Sequence, residues 1–277
     1  MKNIGTQLAA VALVLATAVG PAYAGKGGSA GLIRSAIQSG SVDAIIAEIE
    51  RAESLMCGEC VDLVAGLLDD ERYEVREVAA WWFAKRPALK DAMAQQFVVE
   101  LASGDTIQTR NAADFLGRTK TYTALPALRV AIGRQLGAEA KVAIVRAVEL
   151  MGHKDGVPVL TTALGDADAT VRAAAVKAWR EIRGQRTAAP IVPLLADPDA
   201  KVRAHAATVV GALREQSGRA QLEVIVTSDA DPFARRNAAW ALGRLGQAAS
   251  REALTRATSD ESGLVRMVAK AALASLR

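Results

Sequence analysis

The chain has 277 residues, a formal charge of +4 and a sequence pI of about 9.2, a small basic excess. Its arginines are spread along the chain at matching positions rather than gathered, which argues for structural pairing and against a nucleic-acid partner. Apolar residues make up 51% and aromatics only 4%, a balance that suits short, closely packed helices rich in alanine.

The first residues form a targeting segment. Lys2 supplies a positive start, Leu8 to Val19 is an unbroken apolar run, and Ala22-Tyr23-Ala24 is a small-x-small cleavage site. This pattern predicts a secretory signal peptide over 1–24, cut after Ala24, and its bacterial style points to the periplasm. The apolar run is too short for a comfortable membrane span, and no second candidate follows. No cysteine follows the cleavage site, so a lipid anchor by that route is not expected.

Residues 25–55 read as a Gly-rich leader and a capping helix pair, Leu32 to Gln38 and Val42 to Glu53, separated by Ser39-Gly40-Ser41. From 56 to 277 the chain reads as a solenoid of about seven helix pairs. Met56 to Leu68 pairs with Glu74 to Lys85, and Ala88 to Ala102 with Ile107 to Gly117. Leu125 to Ile132 pairs with Glu139 to Met151, and Val157 to Leu164 with Thr170 to Ile182. Ala189 to Leu195, Arg219 to Val226 and Arg251 to Thr258 are the remaining first helices. Lys201 to Leu213, Phe233 to Leu245 and Gly263 to Leu276 are their second helices. Pro126, Pro158 and Pro190 stand near the starts of first helices, where a missing N–H costs little. No strand is expected.

A recurring phrase carries the repeat. Asp-x-Asp, two residues and Val-Arg open the second helix at Asp166 to Arg172 and again at Asp197 to Arg203. Worn copies run from Asp229 to Arg235 and from Asp260 to Arg266, and Asp70 with Val75-Arg76 stands upstream. The Val position returns at a spacing of 31 or 32 residues, which means stacked repeats. The second Asp is placed to cap a helix start, and the Val begins an apolar helical face. The Arg of each phrase is expected to pair with the first Asp of its own or the adjacent repeat. That pairing makes a ladder of Asp70, Arg76, Asp166, Arg172, Asp197, Arg203, Asp229, Arg235, Asp260 and Arg266. Gly211 and Gly243 remove bulk where helices cross. A second echo joins distant segments: Arg110-Asn111-Ala112-Ala113-Asp114-Phe115-Leu116-Gly117 and Arg236-Asn237-Ala238-Ala239-Trp240-Ala241-Leu242-Gly243. The unit at Glu139 to Met151 departs from the pattern, with Ala143-Ile144 where Val-Arg should stand.

Helix pairs of this length, opened by Asp-x-Asp-x-x-Val-Arg and closed by Ala-Ala-x-x-Leu-Gly, resemble HEAT repeats of the short E-Z, or phycobilisome-lyase-like, type. The resemblance covers 56–277 and implies an all-α, right-handed α-solenoid of stacked antiparallel helix pairs. It also implies a scaffold or adaptor that binds another protein on a concave face lined by second helices. Two enzymes share the repeat class. Deoxyhypusine hydroxylase builds its iron site from His-Glu pairs, whereas this chain has only His153-Lys154 and His205-Ala206. Bilin lyase chemistry suits a secreted protein poorly. No catalytic set, metal site or cofactor is expected.

Cys57-Gly58-Glu59-Cys60 is the sharpest chemical signal. The spacing at a helix start permits a disulfide, favoured in an oxidising compartment. It also permits a redox dithiol, because a helix N-terminus stabilises a thiolate. A metal site shared with a partner, or free thiols, are further options. Trp82 stands where matching repeats have Ala178 and Ala241, so it is expected to be exposed as a partner anchor, with Trp81 and Phe83 in the core. His153 and His205 read as surface or helix-packing residues, and Asp69-Asp70-Glu71 as a solvated turn. The function expected is a non-catalytic periplasmic scaffold; the alternatives are a redox accessory using Cys57 and Cys60, or a partner of a periplasmic cytochrome.

Overall fold

A computed structural model describes residues 29–276. The proposed signal peptide and its cleavage site lie outside the described residues. Among the described residues every regular element is a helix and no strand occurs. The described residues divide into two compact units, one ending at Met151 and one beginning at Gly152.

Among the described residues the first unit holds four helix pairs. They are α1 (Ala30–Ser39) with α2 (Val42–Arg51), α3 (Gly58–Gly66) with α4 (Tyr73–Ala84), α5 (Pro87–Ser103) with α6 (Thr106–Arg118), and α7 (Leu125–Ile132) with α8 (Ala138–Met151). Second helices pack in sequence, α2 on α4, α4 on α6 and α6 on α8, while among the first helices α1 packs on α3 and α5 on α7. The pair that lacks the repeated phrase stacks in the same register, burying Ile33, Ile45 and Ile49. Ser29 and Ser41 cap α1 and α2 through their hydroxyls, and Gly40, at φ 71°, makes the left-handed turn between them. At α6, Asp105 and Gln108 form a reciprocal capping box.

The second unit repeats the plan with α9 (Val157–Leu164) and α10 (Ala169–Trp179), then a 3₁₀ segment (Ala189–Ala196) and α11 (Ala200–Ala212). The pairs α12 (Arg219–Ser228) with α13 (Pro232–Leu245) and α14 (Arg251–Ala257) with α15 (Gly263–Ser275) complete it. Ala189–Ala196 is expected to be an ordinary first helix but winds as 3₁₀, with Pro190 near its start and Pro193 inside it. Pro193 cannot donate the i→i−4 bond that an α-helix needs there. Asp168, Asp199 and Asp231 cap α10, α11 and α13, each carboxylate accepting from backbone N–H groups of the first turn.

Two glycines permit the closest helix contacts. A Cβ at Gly117 would lie 2.5 Å from Ala147 Cα, and one at Gly211 would lie 2.7 Å from Ala241 Cα. Both close the second helix of a repeat and meet an alanine of the next second helix. The first unit holds an aromatic cluster, with Phe97 and Phe115 ring centroids 4.7 Å apart and Phe83 6.2 Å from Phe115, while the second unit buries the single ring of Trp179. Elsewhere the core is mostly alanine, valine and leucine.

Candidate functional site

The loops before α4, α10, α11, α13 and α15 are each tied down by an arginine. In the second unit Arg172 donates to Asp197 through Nε (2.7 Å) and Nη2 (2.8 Å), and its Nη1 donates to the carbonyls of Asp166 and Ala167. Arg203 does the same toward Asp229, and Arg235 toward Asp260 with an added bond to Glu261. One guanidinium therefore satisfies two carbonyls of its own loop and a carboxylate of the following one. Asp166 uses its carboxylate to accept from the Asp168 N–H. Arg266, in the last pair, donates to the carbonyls of Asp260 and Glu261. Burial opposes ionisation of Asp197 and Asp229, yet bonds from Arg172 and Arg203 hold both below the usual carboxylate range. Bonds from Arg235 lower Asp260.

In the first unit the arrangement changes. Arg76 keeps its bonds to the carbonyls of Asp70 and Glu71, but its carboxylate partner is Asp114, at 2.7 and 3.0 Å. Arg146 donates to the other oxygen of Asp114 at 3.0 Å and stacks over Tyr73 at 3.9 Å. Asp70 turns instead to Arg72, which lowers its pKa and reaches on to the Gly40 carbonyl. Asp114 and Arg146 lie outside the repeated phrase, so its spacing gives no hint of them. The alignment with Trp240 in the second echo marks Asp114 as unusual without showing why.

At the cysteine-bearing end, Cys57 is the N-cap of α3 and its sulfur accepts from the Cys60 N–H at 3.1 Å. The two sulfurs lie within bonding distance and the Cα atoms are 5.1 Å apart. Cys57 is half-buried and Cys60 fully buried. Trp82 is not an exposed anchor: it is fully buried, its Nε1 donates to the Ala52 carbonyl at 2.9 Å, and Trp81 is only half-buried. Val75, Ala79, Trp82 and Phe83 fall on one helical stripe facing the core, and Trp81 sits a hundred-degree step off it, so burial follows helix phase rather than residue size at matching positions. Arg86 stacks 3.2 Å from the Trp82 ring centroid and donates to the carbonyls of Trp82, Glu53 and Leu55. Burial with no carboxylate in direct contact lowers its pKa to about 10. His153 accepts from the Asp155 N–H in a surface turn. His205 is depressed by burial and by the positive charges of Lys177 and Lys201.

The second helices of the second unit also present residues outward. On α13, Phe233, Arg236, Trp240 and Arg244 follow one another at helical spacing, with Arg236 over Phe233 and Arg244 over Trp240. Leu264 and Met267 of α15 extend this surface and are 51% and 61% exposed. Between α13 and α15 lies a groove of about 610 Å³ lined by Trp240, Leu245, Met267 and Ala271, with Arg214 and Arg244.

The family profile described as HEAT repeats matches residues 137–198 and 188–274. This is a HEAT-repeat protein. No match was found among curated proteins. Among solved structures, the YibA protein of Escherichia coli aligns with this HEAT-repeat chain at 14% identity and a TM-score of 0.59, covering 99% of this chain and 98% of that one. That likeness concerns the fold alone. Human deoxyhypusine hydroxylase aligns at 18% identity and a TM-score of 0.39, covering 98% of this chain and 96% of that one. The CpcE–CpcF complex of phycocyanin lyase from Nostoc aligns at 21% and 0.37, covering 93% and 98%. Among the described residues no group of three His, Cys, Asp or Glu could hold a metal ion, and no helix is long and apolar enough to cross a membrane.

Proposed function

We propose that the protein is a non-catalytic scaffold of the periplasm that binds another protein through the face built by its second helices. The observation that carries this is the outward stripe of α13 and α15, where large apolar and basic side chains stand exposed beside a groove. In a monomeric soluble chain such patches mark interaction sites. The signal-peptide pattern of 1–24 supports the address. The test places a photo-crosslinking amino acid at Met267, and separately at Val224 on the first-helix layer, in protein expressed in its own host. Adducts at Met267 and few at Val224, which are 61% and 53% exposed, are expected. Adducts only at Val224, or a protein that fractionates with the cytoplasm, contradict the reading.

A second reading rests on the cysteines. A half-buried Cys57 capping α3, with Cys60 buried behind it, is the placement of an attacking thiol and its resolving partner. On the scaffold reading the pair is a structural disulfide with a reduction potential below about −300 mV. A potential between about −120 and −200 mV moves the redox accessory ahead.

A further inference from the structure

The second helices of the second unit, α10, α11, α13 and α15, contain not one Asp or Glu. Those of the first unit do, with Glu74 and Glu77 on α4 and Glu139 and Glu149 on α8. The cations on the acid-free helices divide into two sets. Arg172, Arg203 and Arg235 are committed to the ladder, and Arg266 to loop carbonyls. Lys177, Lys201, Arg236, Arg244 and Lys270 form no ion pair among the described residues. The carboxylates that meet this layer are already engaged: Asp197, Asp229, Asp260 and Glu261 by the ladder arginines, and the helix caps Asp168, Asp199 and Asp231 by backbone N–H groups.

In repeat register, Lys201 matches Phe233 and Leu264, and Lys177 matches Trp240, so the free cations and the exposed apolar side chains share one surface. The positive charge of these cations reaches His205, whose pKa is lowered most by burial and further by Lys177 and Lys201, with Asp199 opposing them. A field of this kind attracts anions and speeds their encounter. The exposed Phe233, Trp240, Leu264 and Met267 would gain nothing from a phosphate backbone but a good deal from an apolar side chain.

Resting on the scaffold reading, we propose that the partner presents an acidic segment with an aliphatic or aromatic anchor, seated in the groove between α13 and α15. The anchor packs against Trp240 and Met267, and flanking carboxylates meet Arg236 and Arg244. These two arginines are eight positions apart on one helix, about 12 Å, so they suit carboxylates on either side of the anchor. Arg214 closes one end of the groove.

The test selects binders from a random peptide library displayed against the full mature chain, then measures synthetic copies by fluorescence anisotropy. The expected winners are acidic, carry at least one Leu, Met, Phe or Trp, and weaken as salt rises. Their affinity falls about tenfold or more in the R236E/R244E double variant and also in M267E. All three residues are solvent-facing or only partly buried and lie outside the ladder, so an unchanged melting curve accompanies the loss. Neutral or basic winners, or acidic peptides whose affinity is unchanged in both variants, overturn this inference and leave the scaffold reading standing. Failure to enrich any peptide, with binding instead to oligothymidylate or phosphatidylglycerol vesicles, overturns both.

Discussion

The two units solve one problem with different parts. In the second unit each rung joins one arginine to one aspartate of the next loop, and the three rungs Arg172–Asp197, Arg203–Asp229 and Arg235–Asp260 are near copies. In the first, the carboxylate comes from the middle of α6, and Asp114 takes Arg76 and Arg146 together. In both, the arginine fastens two carbonyls of the loop before its helix. The loop's unpaired backbone is the constant demand, and the source of counter-charge is free to drift. Outward residues drift further still: carboxylates on the first unit's second helices, none on the second's.

The sharpest way to break this comparison is to remove its most buried member. Asp114 has a side chain only 1% exposed and answers two guanidinium groups, so Asp114→Ala should cost about 3–5 kcal/mol, read as a lower urea midpoint. Asp260→Ala should cost clearly less, because Arg235 keeps Glu261 and two carbonyls. Equal losses would mean that sharing does not concentrate the stability at Asp114.

Trp82 and Trp240 give a contrast of similar size. Trp82→Ala removes a fully buried ring and its bond to Ala52, at about 3–5 kcal/mol, whereas Trp240→Ala, on the outward stripe, should cost below about 1 kcal/mol. Smaller again is Gly117→Ala. In an open helix that change would stabilise by up to about 1 kcal/mol, but here the new methyl meets the Ala147 backbone. A destabilisation of about 1–3 kcal/mol is expected in thermal melts.

The smallest effect separates paired from unpaired acids by pH. Burial raises Glu100, whose Oε2 has no partner. Its folded-state pKa lies above the unfolded value of about 4.3, so its ionisation costs stability as pH rises through that range. Glu100→Gln should therefore stabilise by about 1 kcal/mol at neutral pH and lose that advantage in acid. The ladder acids act oppositely: with Asp197, Asp229 and Asp260 lowered, their contribution is full above about pH 4 and disappears as pH falls through their folded values. Urea midpoints for wild type and variant across that range check both signs.

Much of this fold is written in the repeated phrase, because a helix start needs a cap and a loop needs its carbonyls answered, and both demands fall at fixed spacing. The helix pairs, the all-α class and the helix-capping aspartates follow from it. Asp114 escapes because a mid-helix carboxylate has no periodic signature, and its second partner, Arg146, belongs to the repeat that departs furthest from the phrase. Trp82 misleads for a related reason: the alanines at matching positions suggest exposure, while its own helical phase places it toward the core beside Ala52. The outward stripe is present in the sequence as Phe233, Arg236, Trp240 and Arg244, but only the packed helices separate it from buried neighbours such as Arg235 and Ala239.

The most direct test of the second-helix face is hydrogen–deuterium exchange of the full chain, alone and with the protein captured at Met267. Slowed exchange concentrated in α11, α13 and α15, with α12 and α14 unchanged, is the result expected. Slowed exchange confined to α12 and α14, or to α3 around Cys57 and Cys60, would contradict it and place the interface elsewhere.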